Sequence, residues 1–298
     1  MASDHLIEKT KEVFPIPEEL QDVSISIILL GDTASQLRAP FHSVATLLME
    51  NYIANFDVRI DVIIAVKEKD DELFQYFMKW NDESDNSKAR ISIVVNSGKR
   101  GALLGDAIKM AQGATLVFLT AGFILDRVPL ARVLINQLLV PMNFGASMIK
   151  GFYGESNPPN GRYGTAGTAS LVPYEWPPQD YTSFGGLEEY AYYFPFRYLS
   201  TIRIRKSVLA GHLDFLSNID EALDIAIGAI AIHESIGIAT TSIPFVTRLT
   251  TPPAPNIEKV RDEVALMKKY FKDMNDFVGQ NYFRYFRGVE HDIESSKY

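Results

Sequence analysis

Cysteine is absent from all 298 residues of the chain. Disulfide bonds, thiolate metal sites and cysteine nucleophiles are therefore excluded, and this composition favours a cytosolic protein. Histidine is also scarce, and its five scattered copies give no metal-ligand spacing. No apolar run reaches the roughly 18 residues that a membrane-spanning helix needs. The longest candidate, Ala222 to Ala239, is interrupted by Asp224, His233 and Glu234.

Positive charge is in deficit, with a formal net charge of -8 and a pI near 5.2. An acidic surface repels phosphate backbones, so nucleic acid is not an expected partner, whereas a local basic pocket for one small anion remains compatible with this charge. The segment Met1 to Leu20 carries five acidic residues and no apolar core. It therefore does not resemble a secretory signal, and we expect a soluble, cytoplasmic protein that at most lies against a membrane surface.

Several catalytic and nucleotide-binding motifs are missing. The turn after the first predicted strand contains Gly31, Asp32 and Thr33 instead of the G-x-G-x-x-G of a nicotinamide-binding domain, which argues against a dehydrogenase. The chain has no G-x-x-x-x-G-K-[ST] phosphate loop, no second zincin histidine after His233-Glu234, and no G-x-S-x-G nucleophile elbow. A nucleotidyltransferase is a weak alternative, because it would require a glycine-rich phosphate loop and metal-binding carboxylates.

Short apolar runs alternate with helical patterns in the first half of the chain. This order predicts right-handed βαβ units and a mainly parallel sheet. The predicted strands of this half are Val23 to Leu30, Val58 to Val66, Ile91 to Val95 and Thr115 to Leu119. Further strands are predicted at Ala146 to Phe152, Ile202 to Ile204 and Ile238 to Val246, with a helix from about Ile219 to Ser235.

The second half contains two segments of different composition. Gly154 to Gly186 is rich in Gly, Pro, Asn, Ser and Thr, which predicts a functional lid or a surface excursion. The prolines after Thr250 predict a stiff linker, followed by an amphipathic helix that packs on the body or on a second subunit. We therefore divide the chain into an N-terminal extension (1–22), a central α/β domain (23–249) and a linker with a C-terminal helix (250–298).

The order of these elements resembles the family-two glycosyltransferases of the GT-A fold. The opening strand, Val23 to Leu30, is similar to the family's V-S-I-I-I pattern. Ile91 to Val95 leads through the basic turn Asn96 to Gly101 into a helix that ends at Ala111-Gln112-Gly113, and an apolar strand follows. The resemblance covers about Val23 to Arg248, and it implies a three-layer α/β fold with a mainly parallel central sheet.

The metal-binding D-x-D motif of that family is not recognisable here. Thr120, Ala121, Gly122 and Phe123 stand in its place and offer no carboxylate, so we expect no divalent metal cofactor. Arg248 stands where the family has a metal-binding histidine. Without a metal, arginine and lysine must neutralise the diphosphate of a nucleotide sugar.

The resemblance implies two sets of site residues. Asp220 and Glu221 match the family's acidic pair, which opens a helix and supplies the catalytic base. The implied nucleotide-sugar-binding residues are Lys67, Lys99, Arg100, Thr120, Gly122, Arg203 and Arg248. Four of these residues have a simpler interpretation: Arg248 as a solvated residue at a strand end, Lys99 and Arg100 as turn residues, and Asp220 as a carboxylate at a helix N-terminus.

Two functions follow from the resemblance. The first is a metal-independent transfer of a sugar from a nucleotide sugar to an unknown glycan, lipid or protein acceptor, as in polysaccharide biosynthesis. The alternative is a non-catalytic descendant that binds a nucleotide, a glycan or another protein. The C-terminal helix is also a candidate contact for a homo-oligomer.

Overall fold

The computed structural model describes residues 24–49, 59–83, 89–125, 144–150, 187–189, 199–234, 238–250 and 255–272. The N-terminal extension, the segment Gly154 to Gly186 and the chain after residue 272 lie outside these ranges. Among the described helices, none is long and apolar enough to cross a membrane.

The described strands join in one sheet. Their bounds are Ser24–Gly31 (β1), Arg59–Val66 (β2), Ala89–Val95 (β3), Thr115–Thr120 (β4), Phe123–Leu125 (β5), Phe144–Lys150 (β6), Leu187–Glu189 (β7), Ile202–Arg205 (β8) and Ile238–Arg248 (β9). The order along the sheet is β3-β2-β1-β4-β8-β6-β9-β5, and β7 pairs with β9. The four strands β3, β2, β1 and β4 are parallel neighbours, as the apolar runs predict.

The second half of the sheet mixes directions. Strand β8 runs antiparallel to both β4 and β6, while β6 and β9 are parallel. The three late strands predicted from the sequence are confirmed, with bounds shifted by a few residues. The result is a mixed α/β fold whose central part is mostly parallel.

Seven α-helices are described. They are Arg38–Met49 (α1), Asp71–Glu83 (α2), Arg100–Met110 (α3), Lys206–Ala210 (α4), Leu213–Leu216 (α5), Leu223–His233 (α6) and Ile257–Tyr270 (α7). The predicted start of α6 at Ile219 is wrong by four residues. Asp220 and Glu221 therefore precede this helix instead of opening it, and their backbone N–H groups donate to the side chain of Glu263 in α7.

Two apolar clusters lie on opposite faces of the sheet. Ile27 and Leu29 of β1 belong to the cluster that includes α1 and α2, whereas Ile28 and Leu30 belong to the cluster that includes α3 and α6. This alternation follows from the two-residue period of a strand. Both faces of β1 are therefore covered by helices, which is the arrangement that a parallel sheet requires.

Helix α7 belongs to the second cluster. Val260, Val264 and Met267 are buried on one side of the helix, at the spacing that the amphipathic pattern predicts. The helix begins after Asn256, whose side-chain Oδ1 accepts the backbone N–H groups of Glu258 and Lys259. The apolar face of this helix thus packs on its own chain. A contact with a second subunit remains a prediction.

Candidate functional site

Polar side chains converge where the parallel strands end. Asp32 follows β1, Lys67 follows β2, and Arg100 begins α3 after β3. The carboxyl ends of these strands meet at one edge of the sheet, which is where ligands bind in open α/β folds. The turns are joined directly, because the backbone N–H groups of Lys67 and Glu68 donate to the carbonyl of Asp32 at 3.0 and 3.3 Å.

Arg100 and Asp32 form a two-point ion pair. Nη2 of Arg100 donates to Oδ2 of Asp32 at 2.7 Å, and Nε donates to Oδ1 at 3.3 Å. This hydrogen-bonded contact, together with the charges of Arg100 and Lys67, holds the pKa of Asp32 below its usual value. The same contact raises the pKa of Arg100. Asp32 is therefore ionised at neutral pH, and the plane of the guanidinium is fixed.

Lys67 lies between two carboxylates. Its Nζ is 3.6 Å from Oδ1 of Asp32 and 3.4 Å from Oδ1 of Asp220. The side chain is 25% exposed, so solvent screens these pairs less than it screens a pair in open water. Lys67 thus links the end of β1 with the segment that precedes α6.

Asp220 faces the N-terminus of α3. Its Oδ1 accepts the backbone N–H of Arg100 at 2.9 Å, and its Oδ2 lies 3.9 Å from Nζ of Lys259. Burial by itself would raise the pKa of Asp220, but the Arg100 N–H and the charge of Lys67 outweigh that effect and leave the pKa below its usual value. A carboxylate at a helix N-terminus is also stabilised by the helix dipole.

The backbone around Asp220 is held by Glu263 of α7. The Glu263 carboxylate accepts three successive backbone N–H groups: Asp220 at 2.7 Å, Glu221 at 3.0 Å and Ala222 at 2.8 Å. Burial raises the pKa of Glu263, although these three hydrogen bonds favour its charged form. The Glu221 carboxylate is near enough to contribute to the raised pKa of Arg100.

Lys99, the other basic residue predicted in this turn, does not contact Asp32 or Asp220 through its side chain in any hydrogen bond or ion pair of the described residues. Nζ of Lys99 donates to the backbone carbonyl of Asn218 at 2.9 Å, and its side chain is exposed. Close packing fixes the same turn, since the backbone N–H of Gly101 donates to the carbonyl of Ile219 at 2.9 Å. The start of α3 is therefore attached to the segment that carries Asp220 through both side chains and backbone.

The end of β4 does not offer the ligands of a divalent cation. The hydroxyl of Thr120 is bonded to that of Ser200 at 2.8 Å, and Gly122 adopts a positive φ of 83° beside Thr250. A hard cation prefers carboxylate oxygens, and residues 120–122 supply none. In the part of the chain that the structure describes, no group of three His, Asp or Glu side chains is placed to hold a metal ion.

Two predicted arginines are located by their strands alone. Arg248 is the last residue of β9 and pairs with Phe123, the last of the four residues that stand in place of the metal motif. Arg203 pairs with Val117 in the middle of β4, three residues before its end at Thr120. Their side chains lie outside the described part of the structure.

The structure thus brings together Lys67, Arg100 and Asp220, which the sequence singles out. It adds Asp32 and Glu263, which sequence reasoning missed. Asp32 could have been found as an acidic residue directly after a buried strand. Glu263 could have been found as a charge within the apolar stripe of α7.

No family model matches the sequence, and no curated protein matches it. Similar solved structures exist. Residues 1–349 of S. aureus TarS in complex with UDP-GlcNAc give a TM-score of 0.59 at 12% identity, over 91% of this chain and 72% of that chain. The complex of the same TarS fragment with UDP gives 0.58 at 14% identity, over 87% and 68% of the two chains. A longer TarS structure gives 0.56, and the alignment covers 41% of that chain. These likenesses establish the fold, which is of the GT-A type.

Proposed function

We propose that this chain binds a nucleotide sugar at the carboxyl edge of β1, β2 and β3 and transfers the sugar to an acceptor. The observation that carries the proposal is the convergence of Asp32, Lys67, Arg100 and Asp220 at that edge. Two TarS structures of the same fold are complexes, one with UDP and one with UDP-GlcNAc.

The chemistry of the cluster suits a nucleotide diphosphate. Arginine offers a planar pair of donors that matches phosphate oxygens, and lysine adds a compact charge. The N-terminus of α3, whose first backbone N–H already binds the carboxylate of Asp220, adds the positive end of a helix dipole to the same cluster. The carboxylate of Asp32 can accept hydrogen bonds from ribose hydroxyl groups, as acidic residues at strand ends do in nucleotide-binding folds. Arg100 and Lys67 would then take the place of a metal ion at the leaving diphosphate.

Asp220 is the proposed general base. As the acceptor hydroxyl oxygen forms a bond to the anomeric carbon, the bond from that carbon to the diphosphate oxygen breaks. The hydroxyl proton passes to Asp220, and the nucleoside diphosphate leaves with the electron pair. Oδ1 of Asp220 is occupied by Lys67 and Arg100, so Oδ2 is the oxygen that would receive the proton.

One observation favours the second candidate, a binding module without catalysis. The contacts of Asp220 with Arg100 and Lys67 hold its pKa low, and a carboxylate of low pKa is a weak base. In that case the same cluster would bind the nucleotide without catalysing sugar transfer.

Calorimetric titrations with UDP and UDP-GlcNAc, each carried out once with EDTA and once with Mn²⁺, distinguish the transferase from the binding module. Equal affinities in the two conditions, with UDP released when an acceptor panel is added, support a metal-independent transferase. Equal affinities without UDP release support the binding module. Affinity that depends on Mn²⁺ contradicts the proposed role of Arg100 and Lys67, and absence of binding contradicts both candidates.

A further inference from the structure

One buried carboxylate binds three successive backbone N–H groups. Glu263 is 8% exposed. Both of its carboxylate oxygens accept hydrogen bonds from the backbone N–H groups of Asp220 to Ala222, and the shortest N···O distance for each of these residues is between 2.7 and 3.0 Å. These groups precede α6, so they have no partner within that helix. A buried N–H without a partner is costly, which makes the side chain of Glu263 a structural requirement of this segment.

Asp220 is consequently held at both of its ends. Its backbone N–H donates to Glu263, while its carboxylate accepts the Arg100 N–H and the Lys67 ammonium. The charged groups that face it are Lys67, Arg100, Lys259 and Glu263; the first two come from the segments after β2 and β3, and the last two come from α7. The position of its Oδ2 therefore depends on how both ends are held.

The packing of α7 fixes the position of Glu263. Val260, Val264 and Met267 on the same side of this helix are between 0 and 2% exposed, and they belong to the apolar cluster that contains α6. The carboxylate thus emerges from an apolar face that has one well-packed position. The position of the oxygens that bind the segment before α6 therefore depends on this packing.

We infer that Glu263 is a positioning residue for Asp220, and that α7 is therefore part of the active site. The inference rests on the proposed function only in taking Asp220 as the reacting group. The hydrogen bonds of Glu263 fix the backbone from Asp220 to Ala222, and this places Asp220 against Lys67 and the N-terminus of α3.

Two substitutions and a matched control test this role in the full-length protein. Glu263→Gln leaves one acceptor oxygen and puts an amide group, which is a donor, against backbone N–H donors. Glu263→Asp keeps the charge but is one methylene shorter, so it cannot reach all three N–H groups at once. Glu258→Gln removes the same charge from an exposed position in the first turn of α7.

The first measurement is the carboxyl titration of Asp220, followed by NMR with ¹³C-labelled aspartate and assigned with an Asp220→Asn sample. Removal of the negative charge of Glu263 would by itself lower the pKa of Asp220 further. Displacement from Arg100 and Lys67 would instead raise that pKa toward its usual value. We expect a rise in Glu263→Gln, a smaller rise in Glu263→Asp, and no rise in Glu258→Gln. An unchanged or lower value in both Glu263 variants overturns the inference, and Glu263→Asp decides alone if Glu263→Gln does not fold.

The second measurement combines hydrogen exchange and kinetics. The amides of Asp220 to Ala222 should exchange faster in the Glu263 variants, while Glu258→Gln should match the wild type. The kcat for transfer should fall by up to the order of 100-fold, the effect of a misplacement of about 1 Å, with the nucleotide-sugar KM little changed. A rise in KM with unchanged kcat would overturn the positioning role. If the wild-type protein transfers no sugar, the proposed function fails, whereas the titration and exchange results still decide whether Glu263 positions Asp220.

Discussion

The guanidinium of Arg100 contacts the carboxylate of Asp32 through two hydrogen bonds, although the residues lie 68 positions apart in the sequence. The pair joins the end of β1 to the start of α3, which are otherwise connected through two strands and two helices. Both side chains are more than a third exposed, at 39% and 38%. A contact of this exposure contributes only about 0–1 kcal/mol to stability, so its main effect is on geometry.

Arg100→Ala should weaken UDP binding by about 10- to 100-fold, because a charge-assisted hydrogen bond is worth about 1.5–3 kcal/mol. Arg100→Lys should give an intermediate affinity, since the charge remains and the two-point geometry is lost. Both variants keep the backbone N–H that Asp220 accepts, so this contact should survive. Calorimetry measures the three affinities. Arg90→Ala, at an exposed position where β3 starts, is the control and should bind as the wild type does.

Asp32→Asn should lower the free energy of unfolding at neutral pH by at most about 1 kcal/mol, the usual value of an exposed ion pair. The folded-state pKa of Asp32 lies below its usual value of 3.8. At a pH between these two values, the unfolded chain therefore binds more protons than the folded protein does. The Asp32 carboxylate therefore makes its full contribution to the free energy of unfolding above its usual pKa of 3.8. This contribution disappears as the pH falls through the folded-state pKa. Urea unfolding at several pH values between 7 and 2.5 measures it.

The direction of the pH dependence tests this prediction, and a second variant is its control. The difference between the wild type and Asp32→Asn should shrink as the solution becomes more acidic. Asp262→Asn, on an exposed position of α7, should stay close to the wild type throughout. A difference for Asp32→Asn that grows toward low pH would contradict the ion-paired state of Asp32.

Gly101→Ala should destabilise the fold by about 1–3 kcal/mol, the cost of inserting a group into a packed interior. A methyl group at Gly101 would lie 1.8 Å from the carbonyl oxygen of Leu216 and 2.6 Å from that of Ile219, and both are backbone atoms. Gly105→Ala in the same helix is the matched control, since its nearest atom is the carbonyl oxygen of Leu213 at 4.0 Å. That change should stabilise the helix by about 0.5–1 kcal/mol. Urea unfolding of both variants measures the two changes in the free energy of unfolding. Equal changes would contradict the close contact of Gly101 with the backbone carbonyl oxygens of Leu216 and Ile219.

The sheet was predictable because its strands are marked by local patterns. Continuous apolar runs such as Val62 to Val66 predict strands buried on both faces, and the structure confirms them. The parallel order of the first four strands follows from the helices between them. The start of α6 was not predictable in this way, because Glu263 binds the residues that precede it across more than 40 positions.

The site was predictable only where the family resemblance supplied a position. The place of Lys67, Arg100 and Asp220 in the order of motifs predicts them as site residues, and the structure brings these three together. Asp32 follows a strand, as turn residues often do, and its pairing with Arg100 appears only when the sheet is assembled. Glu263 lies in a helix outside the domain that the resemblance covers, so no motif could indicate it.

Asp220→Asn should lower kcat by about 10²- to 10⁴-fold, the usual contribution of a general base, while UDP binding changes little. Because the pKa of Asp220 lies below its usual value of 3.8, its carboxylate is ionised at every pH above about 4. The kcat/KM of the wild type should then show no acid limb between pH 8 and pH 5, as measured by UDP release. Asp214→Asn, at an exposed position of α5, is the control with the same change of charge. An acid limb near pH 6, or a variant as active as the wild type, would assign the base to another residue.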